Sequence, residues 1–263
     1  MNKIVLGSVM TVAVVSAAYA GWWGWGGKGA DVKPVAAAAQ AAPVAVQIPL
    51  AVSATLPPGH PLNIQNFDRV LGKADAPVTI IEYASMTCSH CADFHKTTLK
   101  DIEKEWVATG KAKYVLRDLP WDNLALGITK VTRCAPPEQF YPLVKAYFAA
   151  QEQIVKGVDT LGEVKQVARM AGMDGAKVEA CIADGPLQAL IVGVKENGLT
   201  QLGIKGTPTT FVNGTKVDGV MAYKDMKPIL EGAYAAAMMA REATAAKVAD
   251  VASPTEVAPP TIK

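Results

Sequence analysis

The sequence predicts an α/β domain interrupted by an all-helical insertion, and three observations lead there. A β-branched run ends in a Cys-x-x-Cys pair that opens a helical stretch, and a second strand follows. Strand character then vanishes from about residue 121 to about 202. It returns in two short strands and a last amphipathic helix. The order βαβ, helices, ββα builds one sheet from segments far apart in the chain.

The chain opens with the marks of export. Lys3 follows the initiator Met, Ile4 to Ala18 carry no charge, and Ala18-Tyr19-Ala20 fits the small-x-small pattern of secretory cleavage. Residues 1–20 therefore read as a signal peptide. Trp22, Trp23 and Trp25 stand where a spanning helix places interfacial aromatics, and the uncharged run lasts to Gly27, so an uncleaved anchor to about residue 27 is the alternative. Either way the rest is expected outside the cytosol. Residues 21–60 read as a linker, because from Lys28 onward Ala, Val and Pro dominate without an aromatic residue or a helical stripe. The tail, residues 243–263, has the same character and reads as disordered.

Between these ends lies the domain. "APVTIIEYAS", Ala76 to Ser85, is bounded by Pro77 and reads as a buried strand. From Cys88 the period turns helical: His95, Leu99, Ile102 and Trp106 share one face, and Gly110 suits a C′ stop. "KAKYVLRDLP" supplies a second strand, Lys111 to about Arg117, closed by Pro120. Residues 121–202 carry helical spacing throughout, enough for four or five helices. Asn213-Gly214 marks a hairpin turn between Thr209–Val212 and Lys216–Val217. The closing helix runs from about Lys224 to Ala240, with Met226, Leu230, Tyr234 and Met238 in phase.

With 263 residues, half of them hydrophobic, the chain can bury a full core. A net charge of +2 from 26 basic and 24 acidic residues leaves no basic face that argues for nucleic acid. Four cysteines in an exported chain make two disulfides plausible. Spacing favours Cys88 with Cys91, leaving Cys134 and Cys181, one of three connectivities.

A Cys-x-x-Cys after a strand and at a helix start has a chemical use. The helix N-terminus offers unpaired N–H groups and about half a positive charge, which stabilise a thiolate at Cys88. His90, between the sulfurs, can add a hydrogen bond or a positive charge. Both act on the reduced form only. Each unit by which the Cys88 pKa falls below ambient pH raises the two-electron potential by about 30 mV. Cys91, one turn inside, suits the resolving role. Other readings compete: Cys91 and His95 as zinc ligands completed by Cys134 and Cys181, or an inert staple, for which so tight a loop is poorly suited. Haem attachment in its usual form fails, because Ala92 follows Cys91. A metal-binding export module is thus the alternative from another class. His95, on the apolar stripe, reads as a core or site-edge residue, and His60 falls in the linker.

The segments "TIIEYASMTCSHCADFH", "YVLRDLP" and "GIKGTPTTFVNG" together resemble the thioredoxin-fold disulfide oxidoreductases of the DsbA family over about residues 62 to 241. The resemblance implies a thioredoxin fold, residues 61–120 and 203–242, holding a helical insertion at 121–202. It makes Cys88 the nucleophile, Cys91 the resolving cysteine and His90 the intervening histidine. Glu82 becomes the buried carboxylate that relays protons for the inner cysteine. Thr207-Pro208 becomes the cis-proline loop that lies against the disulfide and pairs with substrate backbone. Ser89 departs from the Pro found in many members, at a position that tunes potential. Cys134 and Cys181 read as a structural bridge between two helices rather than a second redox couple. The expected activity is oxidation of reduced, unfolded exported proteins through a mixed disulfide at Cys88. It needs no cofactor or metal beyond the Cys88–Cys91 pair. The resemblance also implies a periplasmic site, with a membrane tether if the N-terminus persists, and reoxidation by a DsbB-type quinone-linked partner. Isomerase or reductase chemistry is the alternative, disfavoured because residues 28–60 are too irregular for a dimerisation domain.

Overall fold

The computed structural model describes residues 56–252. The expected signal peptide or anchor, most of the linker and the end of the tail lie outside the described residues. Five strands form one sheet in the order β1-β3-β2-β4-β5. β2 (Val78–Ala84) and β3 (Ala112–Asp118) pair in parallel, as a strand-helix-strand crossover requires. β4 (Thr209–Val212) adds antiparallel to β2, and β5 (Thr215–Asp218) closes the hairpin. Its turn needs left-handed backbone at two successive residues, and Asn213 and Gly214 supply it with φ of 45° and 87°. β1 (Val70–Leu71) pairs antiparallel with β3. At two residues it is too short for any alternation pattern to announce it.

β2 and β3 are buried along their whole length, on both faces, although β2 carries Glu82 and β3 carries Lys113, Arg117 and Asp118. On one face Val78, Ile80 and Ala84 meet Ala112, Tyr114 and Leu116 in the larger core. On the other, Ile81, Tyr83 and Val115 form a smaller core with Leu62, Val194 and Phe211. The period of two therefore places Glu82 and Tyr114 on the larger-core face and Arg117 on the opposite one.

The stretch after the cysteines is not one helix. α1 (Ser89–Lys96) breaks at Thr97, where φ −121° and ψ −87° leave the helical region; α2 (Thr98–Ile102) then runs into a π-helical segment at Glu103–Val107. Thr98 Oγ1 donates to the Met221 carbonyl at 2.8 Å, which ties the break to the far end of the chain. Gly110 follows with φ 76°.

Five helices occupy the expected insertion: α3 (Asn123–Cys134), α4 (Phe140–Lys156), α5 (Thr160–Ala168), α6 (Gly175–Ala183) and α7 (Gly185–Gln201). Asp122, Asp159, Asp174 and Asp184 each cap a helix by accepting a backbone N–H three residues on. α3 to α6 share the larger core with the sheet. Val194 of α7 joins the smaller core.

Two boundaries are corrected. The last helix, α8 (Tyr223–Ala252), runs past Ala240 into the stretch expected to be a disordered tail from residue 243. "ATAAKVA" is dense in Ala, the best helix former, and an exposed turn needs nothing more once α8 is nucleated against the core by Met226 and Leu230. The linker also ends early. Leu56 packs on the smaller core, and the His60 ring accepts the Leu62 N–H at 3.1 Å. Arg117 holds residues 61–68 in place, its guanidinium donating to both Asp68 carboxylate oxygens at 3.0 and 2.7 Å and to the carbonyls of Pro61 and Asn63.

Candidate functional site

Cys88 is the residue just before α1, and its extended backbone (φ −77°, ψ 116°) sets Sγ in front of the helix. Its thiol is half-exposed and Cys91 is fully buried; the pair is present as two free thiols. Their acidities diverge. The Cys91 thiol, by donating to Cys88, and then Thr207 and the backbone N–H groups of Cys91 and His90 hold Cys88 down at about 5 despite partial burial. Burial, then the neighbouring Cys88 and the Glu82 charge, push Cys91 far above the usual thiol range. Main-chain donors at the helix start add to the lowering of Cys88 after the Cys91 thiol and Thr207. His90 contributes by its N–H; among the described residues its exposed ring makes no hydrogen bond to Cys88.

The Thr207-Pro208 peptide is cis, and the Thr207 carbonyl lies 3.3 Å from Cys88 Sγ. Two elements of the insertion complete the setting. Gln151 of α4 donates to the carbonyls of Met86 and Cys88 at 2.8 and 2.9 Å, holding the loop that carries Cys88. Trp121, just after β3, donates its indole N–H to Thr207 Oγ1 at 3.0 Å. Neither was singled out from the sequence. A glutamine on a helix and a tryptophan after a strand carry no spacing signal, and only the tertiary structure brings them to Cys88.

Glu82 is fully buried beneath α1. One of its oxygens, Oε2, takes the Tyr114 hydroxyl and lies 3.0 Å from His95 Nε2; Oε1 and His95 Nδ1 are buried without a partner. The parallel register explains the meeting. Tyr114 sits opposite Ile80, two residues from Glu82 on the same face, and His95 follows Cys91 by four on the face of α1 that covers both. His95 also stacks on Phe148 with centroids 4.2 Å apart. It is buried in the core as the stripe implies, and it belongs to this polar cluster too.

The zinc reading loses its ligands. Cys134 and Cys181 are joined in a disulfide across 47 residues, linking α3 to α6, and His95 is engaged with Glu82. A model of the family described as Thioredoxin matches residues 65–232, more than half of the chain. The chain belongs to the thioredoxin family. Within it the chain is of the DsbA type, which its matches to solved DsbA proteins support. The Wolbachia pipientis protein alpha-DsbA1 is 27% identical, with a TM-score of 0.64 over 68% of this chain and 96% of that one. BdbD of Bacillus subtilis, at 19% identity, shares the fold, with a TM-score of 0.59 over 64% of this chain and 93% of its own. By sequence, a Rickettsia bellii protein named as a candidate protein-disulfide oxidoreductase is 25% identical over 59% of this chain. The chain spans 60% of the length of that relative. Disulfide bond formation protein D of B. subtilis is 24% identical over 62% of this chain and 75% of its own length. The DsbA-type fold is thus a thioredoxin sheet with helices inserted between β3 and β4.

Proposed function

We propose that this DsbA-type protein is a thiol oxidase that passes a Cys88–Cys91 disulfide to reduced exported proteins. A substrate thiolate attacks Cys88 Sγ, the Cys88–Cys91 bond breaks, and Cys91 leaves with the electron pair and takes up a proton. A second substrate thiolate attacks the substrate sulfur of the mixed disulfide, and Cys88 leaves as thiolate. The substrate loses two electrons and the enzyme gains them.

The observation that carries this reading is the opposition between the two thiols. Cys88, at about 5, is ionised at neutral pH and a good leaving group; Cys91 stays protonated. Stabilising the thiolate stabilises the reduced enzyme, which makes its disulfide oxidising. Glu82, whose charge acts on the buried thiol, is assigned the proton exchange with Cys91, and the Thr207-Pro208 loop the pairing with substrate backbone. The reading carries with it a periplasmic location and a DsbB-type membrane partner that returns the electrons to quinone. Among the described residues no helix is long and apolar enough to cross a membrane. Equilibration with glutathione buffers, with ultraviolet titration of the thiolate, tests the proposal. An oxidising potential and a Cys88 pKa near 5 are expected; a pKa near the free value of about 8.5 overturns it.

A further inference from the structure

The opening beside Cys88 is a groove of about 590 Å³ lined by Thr87, Cys88, Ser89, Trp121, Lys205 and the Gly206-Thr207 segment. It holds one large apolar side chain and one cation. Trp121 is fixed in place: its N–H is bound by Thr207 Oγ1, and Lys195, itself bonded to the Pro120 carbonyl, lies 5.4 Å from the ring centroid. Yet 45% of this braced indole remains exposed. Lys205 is exposed and, among the described residues, makes no hydrogen bond or ion pair. Asp122, next to Trp121 in the chain and bonded to the lining residue Thr87, is occupied on both oxygens, by Ala125 N–H at 2.7 Å and Thr87 Oγ1 at 2.5 Å. Asp122 keeps its charge but has no free oxygen, whereas the Lys205 ammonium is unengaged and Lys195 adds a second cation beside Trp121, so the group open to a new ion pair is cationic.

We infer that this groove selects substrate chains in which an acidic residue flanks the reactive cysteine, with Trp121 as the stacking platform and Lys205 as the carboxylate's partner. The inference rests on the exchange function proposed for Cys88 and names the substrate class of that site. A rigid aromatic anchor loses little conformational entropy on binding, and an unpaired surface ammonium discriminates by charge. Thr207 links the two, since its hydroxyl holds Trp121 and its carbonyl lies at Cys88 Sγ.

The test uses the full chain and two dithiol peptides identical except for Glu or Lys beside the cysteine. The oxidised protein is expected to favour the Glu peptide about threefold in kcat/KM, the scale of one exposed ion pair. Lys205→Glu is expected to reverse that order, and 0.5 M salt to flatten it. Trp121→Ala is expected to lower the ratio of peptide to dithiothreitol kcat/KM about tenfold, the scale of one lost aromatic stack. Equal rates for the two peptides, or a Trp121→Ala loss that falls on dithiothreitol and peptide alike, overturn the inference. Calorimetric titration with cysteine-free versions of the peptides reads the preference without exchange. If exchange fails but the acidic peptide binds more tightly, the oxidase reading falls and the groove assignment stands; equal affinities overturn the groove assignment.

Discussion

His95 sets its Nε2 3.0 Å from Oε2 of Glu82, in a pocket where Tyr114 shares the same oxygen and Phe148 closes one side of the imidazole. Burial and the Glu82 charge keep the Tyr114 phenol protonated, so it is a permanent donor to the carboxylate. Among the described residues, Cys91, Tyr114 and Tyr141 feel the Glu82 charge and His95 lies against it. Glu82→Gln is expected to slow the steps in which Cys91 gains or loses its proton and to flatten their pH dependence, as followed by stopped-flow fluorescence. A pH profile matching the parent would retire the relay. His95→Ala, which removes the stack and leaves Glu82 one donor short, is expected to cost about 2–4 kcal/mol in denaturant unfolding.

The main-chain and Cys91 donors to Cys88 make a contrast between two variants decisive. Cys91→Ala removes the foremost cause of the low Cys88 pKa. It is expected to raise the Cys88 pKa by one to two pH units, the scale of a hydrogen bond to a charged group, about 1.5–3 kcal/mol. His90→Ala keeps its N–H and is expected to raise it far less. Ultraviolet titration of both proteins decides; a larger rise for His90→Ala would return the control to the ring.

The reduced protein should show a matching dependence of stability on pH. Cys88 titrates lower folded than unfolded, so its ionisation favours folding. The contribution is complete above the unfolded value of about 8.5. It declines as pH falls and is gone below about 5. Between pH 8 and pH 4 the stability lead of the reduced protein over its Cys88→Ser variant is expected to disappear. A lead that stays constant in urea titrations across that range contradicts the assignment.

Arg117 is the fastening for residues 61–68. Its contacts with Asp68, Pro61, Asn63 and the Tyr83 hydroxyl lie away from the thiols, on the opposite face of the sheet. Arg117→Ala would strand the buried Asp68 carboxylate and is expected to cost about 3–5 kcal/mol. Arg117→Lys should recover little, because a compact ammonium cannot span the same fork. Urea midpoints, together with faster proteolysis between residues 57 and 68, would record it.

The Cys134–Cys181 bridge closes a loop of 47 residues, worth about 4 kcal/mol in the chain-entropy account. Replacing both cysteines with Ala is expected to lower stability by up to that amount while leaving the Cys88 pKa unchanged. A change in that pKa would show that the bridge couples to the site.

Much of this was legible in the chain because it is local. The β-branched run, the Cys-x-x-Cys at a helix start, Asn213-Gly214 and the Pro after Thr207 each act within a few residues, where period and turn chemistry decide the outcome. A lone Glu82 inside an apolar run signals burial for the same reason. What it is buried against is not local. The partners His95 and Tyr114 are set by a parallel register across a crossover, and a one-residue slip would turn Tyr114 to the other face. Gln151, Trp121 and Arg117 reach their places from segments with no periodic relation to the cysteines, so packing alone assigned them. The length of α8 was misread for a related reason: Ala-rich sequence is neutral between coil and helix until a packed first half nucleates it. By itself, then, the sequence determined the strand and helix that flank the thiols, the position of Cys88 at the helix start and its main-chain donors. The tertiary structure decided which side chains surround them, because those contacts cross from 13 to 119 residues of chain and depend on how the faces meet.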